Sequence, residues 1–241
     1  MNSALLNGKN YEINNQLKVL TLQVIISLIF LNTQFSFAQK KINWEGPYVG
    51  LGIQSLNGGV NGNYTDGEGG IHSRDIDGES MEFHIGYNKD LTQYGFNNYI
   101  AGVELSYSDH DFLFNGIKGK RDCPANPYAC KSSINYSWTA KTKLGLKYDN
   151  FLPNLFIGYT NDQITIRADA KNNTDFGGTT KTVEGILYGI GVDYYLDNSS
   201  FIGFSFYETQ MNKEKFTVDN NQKVNTELKY NTTKLSYNYR F

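Results

Sequence analysis

Apolar and polar side chains alternate with a period of two along much of the chain. Between residues 80 and 88, for example, Met81, Phe83 and Ile85 share one face, and Glu82 lies on the other. This alternation is typical of a β-strand whose two faces meet different surroundings. Eight segments show it, at residues 48–55, 80–88, 99–108, 134–148, 154–162, 183–196, 201–208 and 229–241. The pattern predicts an all-β protein, with no long helix after residue 38.

The lengths of these segments and of their connections indicate a barrel that crosses a membrane. Several segments are longer than the 5–6 residues of an average strand, and a tilted strand needs about 9–11 residues to cross a bilayer. The connections at 56–79, 109–132, 163–181 and 209–228 are long and polar, those at 149–153 and 197–200 are short, and 89–98 is intermediate. Short turns at one end and long loops at the other are typical of outer-membrane barrels. We therefore predict an eight-stranded antiparallel up-and-down transmembrane β-barrel with both termini in the periplasm.

The residue types on the two faces indicate which face points outward. One face carries rows of Tyr, Phe, Leu, Ile and Trp, whereas the other carries Gly, Ser, Thr and Asn with a few charges. The lumen of an eight-stranded barrel is narrow and is filled by side chains. Small polar residues and paired charges fit that space, and lipid accepts the large rings. The seventh segment is nearly all apolar, and there we assign Ile202, Phe204 and Phe206 to the outward face.

The first 38 residues have the features of a secretory signal peptide. The stretch from Val19 to Leu31 is apolar but shorter than the about 20 residues of a membrane-spanning helix. Lys9 and Lys18 precede it, and small residues at Ser36 and Ala38 follow it. This order predicts export and cleavage after Ala38, so that residues 39–241 form the barrel domain. An uncleaved anchor is the alternative.

Composition excludes several classes of protein. The mean hydropathy of −0.48 excludes a bundle of transmembrane helices, and aromatic residues make up 15% of the chain. The net charge of −2 and the pI of about 5.9 argue against binding to nucleic acid. No motif for a cofactor is present, and we expect none to be bound.

Cys123 and Cys130 flank a short turn-rich insert between two of the predicted strands. In an oxidising compartment we expect them to form a local disulfide. A pair of cysteines with six residues between them and no histidine nearby is a poor zinc site. We expect no metal site in the chain.

Charged residues on the polar face are predicted to meet inside the barrel. Glu82, Glu104, Lys141 and Lys234 each lie roughly six residues from the periplasmic end of their strand, which places them near mid-height. The remaining members of this predicted lumen charge network are Lys143, Asp193 and Arg240. Buried charges must be paired, so a structural ion-pair network is favoured. An ion pathway lined by charges is the alternative.

The three histidines give little indication of catalysis. His72 and His110 fall in predicted loops, and His84 falls on the lumen face. No serine and acid are spaced around His84 as a hydrolase would require. We therefore expect that the chain is not an enzyme, and we predict no catalytic residue.

Three stretches resemble a known family. They are Trp44-Glu45-Gly46-Pro47-Tyr48-Val49-Gly50, the Lys141-x-Lys143-Leu144-Gly145 strand with the Phe151-Leu152-Pro153 turn after it, and the ending Asn238-Tyr239-Arg240-Phe241. Together they resemble the small porin-family surface antigens of Gram-negative bacteria, OmpA-type eight-stranded barrels common in α-proteobacteria. Lys141 and Lys143 stand where that family has arginine, which implies weaker pairing with carboxylates. A second departure is Tyr159, at a position where the family has glycine.

The resemblance implies a location in the outer membrane, in contact with its lipid, and insertion by the barrel-assembly machinery. It also implies that Phe241 is the assembly signal. We expect a monomer whose role is envelope integrity, adhesion, or recognition by a host, phage or matrix ligand at the loops. The alternatives are a narrow passive channel, a lipid-modifying barrel enzyme, and a secreted soluble barrel that carries a lipophilic ligand.

Overall fold

The chain folds into a closed antiparallel β-barrel. The structure, a computed structural model, describes residues 43–64, 71–111, 116–122, 128–170, 175–197, 199–217 and 223–241. Its strands are β1 (Gly46–Tyr64), β2 (Ile71–Asp90), β3 (Tyr99–Asp109), β4 (Ile117–Asp122), β5 (Tyr128–Leu146), β6 (Phe151–Ala170), β7 (Asp175–Tyr195), β8 (Ser200–Met211), β9 (Glu214–Thr217) and β10 (Lys223–Arg240). In the described part of the chain no helix is both long enough and apolar enough to cross a membrane.

The ten strands occupy eight positions around the barrel, and we call each position a stave. The order of pairing runs β1-β2-β3-β5-β6-β7-β8-β10 and returns to β1, which closes the barrel. The short strand β4 continues the stave of β3 between β2 and β5, and β9 continues the stave of β8 beside β10. All of these pairs are antiparallel. The eight-stranded up-and-down barrel predicted from the sequence is confirmed.

Large apolar side chains form a continuous belt around the outside of the barrel. Its exposed members include Leu51, Phe83, Ile85, Val103, Leu105, Trp138, Leu144, Leu155, Ile157, Ile186, Ile190, Phe204, Phe206 and Leu235. We call this belt the apolar band. Because the neighbours that alternate with these residues are buried and mostly polar, the barrel is apolar outside and polar inside at this height. The predicted faces are confirmed, and the soluble-barrel alternative is wrong.

The four long loops of the sequence prediction are mostly strand, so that part of the prediction is wrong. β1 continues to Tyr64 and pairs with β2 as far as Ile71, and β6 and β7 continue in the same way. Above the apolar band the preferences of the two faces invert. Asn57, Asp77 and Asn231 point outward, whereas Leu56, Val60 and Ile76 are buried inside. This inversion fits a barrel that leaves the membrane and enters water.

We call the part above the apolar band the extracellular wall, after the predicted orientation with both termini in the periplasm. It comprises residues 55–64, 71–79, 117–122, 128–135, 161–170, 175–184, 208–217 and 223–233. The strands β1, β2 and β10 enter it at matching heights, since Ser55 pairs with both Glu79 and Thr233. With nine residues of β2 above the band, at about 3.4 Å each and a tilt of about 40°, the wall rises by roughly 20 Å.

A β-bulge in β5 corrects one predicted face. The sequence pattern places Ile134 on the same outward face as Tyr136 and places Asn135 on the lumen face. In the structure the pairing of β5 with β6 shifts between Ile134 and Tyr136, and Ile134 is buried inside. Asn135 instead donates hydrogen bonds to Gln163 and Thr165 on the outer face of β6. The extra residue lets β5 turn an apolar side chain inward above the band, where the preferences of the faces invert.

Candidate functional site

The lumen holds a network of buried charges at the height of the apolar band. The Lys234 ammonium lies 2.7 Å from Oε1 of Glu82 and 3.3 Å from Oε1 of Glu104. The same Glu104 oxygen lies 2.7 Å from Nζ of Lys141, and Oε2 of Glu104 accepts a hydrogen bond of 2.9 Å from the Tyr48 hydroxyl. The structure therefore brings together the four residues that the sequence places near mid-height.

Glycines on neighbouring strands make room for the lysines. Gly158 pairs with Lys141, and a Cβ on Gly158 would lie 2.8 Å from Cγ of that lysine. Gly102 pairs with Lys143, and a Cβ there would lie at the same distance of 2.8 Å from its Cγ. Each lysine stem thus lies flat across a glycine, so its ammonium can reach a carboxylate in the narrow lumen.

A second ion pair lies in the lumen beside the first. Nζ of Lys143 is 3.1 Å from Oδ2 of Asp193, and Nδ2 of Asn154 is 3.4 Å from the same oxygen. The Lys143 ammonium also lies 5.0 Å from the centre of the Tyr48 ring. These contacts satisfy both charges by geometry that is typical of buried pairs.

Arg240 is not part of this network. It lies at the periplasmic rim, where Nη1 donates a hydrogen bond of 2.9 Å to the Glu45 carbonyl oxygen. Its guanidinium lies 5.9 Å from the centre of the Tyr195 ring. The prediction groups it with the others because it shares their face, but it is six residues below Lys234 on β10 and is therefore too far along the strand.

His84 is buried beside the network. Its Nδ1 lies 3.1 Å from Oε1 of Glu82, and its Nε2 lies 2.5 Å from Oδ1 of Asn238. Glu82, His84 and Glu104 present potential metal-ligand atoms within 4.8 Å of one another. However, the Lys234 ammonium already contacts both carboxylates, so this lysine supplies the positive charge that a metal ion would supply.

A polar cluster that the sequence analysis missed lies just above the charge network. Asp162 is fully buried, and its carboxylate accepts hydrogen bonds of 2.6 Å from the Tyr230 hydroxyl and 2.7 Å from the Thr160 hydroxyl. Gln54 connects the surrounding strands, since its amide contacts Ser80 and also Tyr207. The signal for Asp162 was its even-numbered position on β6, which it shares with the inward-facing Thr160.

His110 is buried, although the sequence places it in a loop. It follows β3 directly, is 1% exposed, and contacts the Ser137 hydroxyl through Nε2 at 2.9 Å. The residue lies beyond the apolar band, which ends on β3 at Tyr107. Burial lowers the pKa of His110 to about 4, although Asp109 and Asp111 act in the opposite direction. The imidazole is therefore neutral at neutral pH.

Aromatic side chains fill the lumen below the charges. Trp44 is 1% exposed, and its ring packs edge-on against Tyr195 and Phe201 at centroid distances of 4.3 and 6.1 Å. The Tyr195 hydroxyl donates a hydrogen bond of 2.7 Å to the Asn43 carbonyl oxygen. Ile100 and Leu152 complete this layer, which we call the periplasmic layer. The residues just before β1 thus lie across the periplasmic mouth.

A larger apolar cluster fills the inside of the extracellular wall. Its members are Leu56, Val60, Ile76, Ile117, Ile134, Ile164, Ile166, Val183, Met211, Phe216, Val224, Leu228 and Tyr230. We call this cluster the extracellular layer. The charged network therefore lies between two apolar layers.

One cavity lies within the charged network. It has a volume of about 40 Å³ and is lined by Lys141, Lys143, Asp193 and Lys234 among others. At about 10–15 Å³ of such volume for each water, it has room for about three molecules. This volume suits hydration of the ion pairs.

Three predictions fall wholly or partly outside the described part of the chain. Cys123 and the side chain of Cys130 lie there, so the disulfide stays a prediction. The same is true of the His72 side chain and of the signal peptide in residues 1–38. Phe241 is exposed, and its amide donates to the Pro47 carbonyl oxygen at 3.1 Å. Its role as an assembly signal stays a prediction.

Comparisons with known proteins agree with this architecture. Residues 24–241 match the family model described as the outer membrane protein beta-barrel domain. Comparison with curated protein sequences gives no match. Among solved structures, the outer membrane protein OprG from Pseudomonas aeruginosa is similar at 12% identity with a TM-score of 0.52, covering 82% of this chain and 96% of that one.

Two further structures are similar at lower TM-scores. The attachment invasion locus protein Ail of Yersinia pestis has 10% identity and a TM-score of 0.42, with 82% of this chain and 99% of that chain covered. Neisserial surface protein A has 14% identity and a TM-score of 0.40, with 79% and 97% covered. Since the family model covers most of the sequence, the chain belongs to the outer membrane protein beta-barrel domain family and resides in the outer membrane.

Proposed function

We propose that this protein is a closed outer-membrane barrel that acts at the cell surface through its extracellular wall. The observation that carries the proposal is the order of layers in the lumen. Ions that entered from the periplasm would meet Trp44, Tyr195 and Phe201 before they reached the charges. Ions that entered from outside would meet the thirteen side chains of the extracellular layer. Crossing an apolar layer without water is costly for an ion.

The charge network then has a structural role rather than a transport role. Glu82, Glu104 and Asp193 are matched by Lys141, Lys143 and Lys234. These six charges sum to zero, and each lies in contact with a charge of the opposite sign. Such a network holds β1, β2, β3, β5, β7 and β10 in register from inside.

Catalysis is not part of the proposal. Among the described residues, the closest approach to a hydrolytic set is Ser137, which contacts both His110 and Asp162. In a catalytic triad the histidine lies between the serine and the acid, so that it can accept the proton of the nucleophile. Here the serine lies between the other two, and all three side chains are buried inside the barrel.

The surface role follows from the length and polarity of the extracellular wall. The wall projects beyond the lipid and presents rows of amide, hydroxyl and charged side chains, such as Asn57, Asn61, Gln163 and Thr165. Crossing the bilayer needs only about 9–11 residues of a tilted strand, so the wall is not required for anchoring in the lipid. Adhesion or recognition of a ligand outside the cell uses that surface directly.

A strain that lacks the protein provides the test. The wild-type gene or a variant gene with a trimmed wall is returned to this strain. In the variant, a two-residue turn replaces residues 58–76. Such a turn can join Asn57 to Asp77 because these two residues pair across β1 and β2. We expect the wild type to restore attachment to immobilised matrix proteins and the trimmed variant not to, while uptake of small hydrophilic solutes is the same in all strains. The passive channel would be favoured instead if the wild-type gene made solute uptake faster than in the strain that lacks the protein, while attachment was the same in all strains. The heat-dependent gel shift of a folded barrel serves as the control for assembly of both proteins.

A further inference from the structure

In the described part of the extracellular wall, β7 and β9 are neighbours without a backbone ladder between them. We call the gap between these two strands the seam. Below it, β7 pairs with β8 from Gly185 to Tyr195. Above it, β9 pairs with β10 only, and within the described residues no ladder joins β9 to β7. On its other side β7 pairs with β6 up to Gly178 without a gap. One edge of β7, over residues 178–183, therefore lacks a backbone partner within the described residues.

Side chains, not backbone groups, hold the seam closed. Nζ of Lys181 lies 2.6 Å from Oε1 of Glu214, and both side chains are more than a third exposed. The Thr179 hydroxyl donates to the carbonyl oxygen of Thr217, where a ladder would place a backbone amide. The anchor of β9 is Phe216, which is 1% exposed and packs in the extracellular layer.

The last ladder bond shows which backbone groups face the seam. The Asn212 amide donates to the Glu184 carbonyl oxygen at 2.8 Å. Successive residues of a strand direct their backbone groups to opposite sides. Thr182 and Thr180 therefore direct their N–H and C=O groups into the seam, as Glu184 does, whereas Lys181 directs its groups toward β6.

A second irregular part of the wall, where β4 lies beside β2, differs from the seam in how closely the backbones pack. β4 pairs with β2 only at Asp77 and Lys118, but the two backbones lie against each other. A Cβ on Gly78 would lie 2.3 Å from the Gly116 carbonyl oxygen. That gap is filled, whereas β9 is a four-residue strand held to β7 by side chains.

We propose that the unpaired edge of β7 is a docking site for an extended polypeptide, which adds to the barrel wall as a β-strand in place of β9. The backbone groups of Thr180 and Thr182 require backbone donors and acceptors at regular spacing, and an extended peptide supplies them. An apolar residue of the partner fills the place of Phe216, and a carboxylate next to it pairs with Lys181. The inference rests on the proposed surface role and names the class of partner.

Amide hydrogen exchange of the intact protein in lipid nanodiscs tests the open edge. We expect the Thr180 and Thr182 amides to exchange on the order of 100-fold faster than the Lys181 and Val183 amides, which pair with β6. The probe is a peptide copied from residues 211–219 of this chain, which contains its own β9. At saturation it should slow the Thr180 and Thr182 amides by about 10-fold or more.

Two peptides and two variants provide the controls. Thr217 directs its carbonyl toward β7, so Lys215 does so as well, and a peptide with Lys215→Pro should not bind. Phe216→Ala in the protein releases β9 and should strengthen binding of the probe by about 10-fold. Phe206→Ala, on the lipid-facing side of the same stave, should leave binding unchanged.

Two results would overturn the proposal. One is equal protection of the Thr180 and Lys181 amides in the free protein, which would mean that the ladder is complete. The other is an exposed edge on which the probe and the Lys215→Pro peptide act alike. Neither result bears on whether the lumen is closed, so they are distinct from failure of the proposed function.

Discussion

Replacing Lys234 with methionine tests whether the charge network holds the barrel together. The substitution keeps an unbranched stem of four heavy atoms and removes the ammonium that contacts both Glu82 and Glu104. Glu104 keeps Lys141 at 2.7 Å, but Glu82 is left with His84 alone at 3.1 Å. A buried charge whose partner is removed costs about 3–5 kcal/mol. We expect Lys234→Met to lower the free energy of unfolding by that amount.

Lys229→Met is the matched control on the same strand. Lys229 pairs with Glu208 at 2.9 Å, but its side chain is 55% exposed. An exposed pair contributes about 0–1 kcal/mol, so the control should be close to the wild type. Adding Glu82→Gln to Lys234→Met removes the unpaired carboxylate and should recover most of the loss.

The assay is urea unfolding of the protein in lipid vesicles, followed by tryptophan fluorescence and by the gel shift between folded and unfolded barrel. The expected order of stability is wild type, Lys229→Met, the double variant and then Lys234→Met. Equal midpoints for Lys234→Met and Lys229→Met would refute the reasoning, because a network without energetic consequence cannot hold strands in register. A double variant less stable than Lys234→Met would refute it as well.

Three more predictions follow from the lumen. Trp44→Ala should lower the free energy of unfolding by about 3–5 kcal/mol in the same assay, because it removes a fully buried ring from the periplasmic layer; a loss below about 1 kcal/mol would contradict this packing. Glu104→Ala should lower the melting temperature and leave planar-bilayer conductance unchanged, whereas altered conductance at an unchanged melting temperature would support an ion pathway. His110 binds its proton at a pKa of about 4 when folded, against 6.5 when unfolded, so the unfolded chain takes up more protons between these values. Stability should therefore fall as the pH is lowered through that window, by up to about 3 kcal/mol, and the fall should be smaller in His110→Gln; parallel pH profiles would contradict it.

The sequence was sufficient to predict the membrane-spanning half of the fold. In the apolar band every strand has lipid on one side and a narrow lumen on the other, so the period of two reports the faces directly. Leu51, Phe83 and Leu235 are exposed as predicted, and Glu82 and Lys234 meet across the lumen because strand register sets their heights. Two features of the sequence were enough to predict the four central charges of the network: the alternation of the faces, and the number of residues between each charge and the end of its strand.

The extracellular wall could not be predicted in the same way, because the faces exchange their preferences there. Residues such as Asn57 and Asp77 suggest loops when polarity is taken as a sign of a connection, although they are the solvent-facing positions of continuing strands. The bulge at residues 134–136 and the burial of His110 are also invisible to alternation. Both depend on which strand lies opposite, which the sequence of one segment does not contain.

The most direct test of the central claim is the single-channel conductance of the wild-type protein in a planar bilayer. The account predicts a flat baseline in 1 M KCl (an ionic strength at which the Debye length is about 3 Å) in a preparation whose gel shift shows a folded barrel. An open porin under the same conditions is the positive control. Regular current steps with a fixed conductance would contradict a lumen sealed by the periplasmic and extracellular layers.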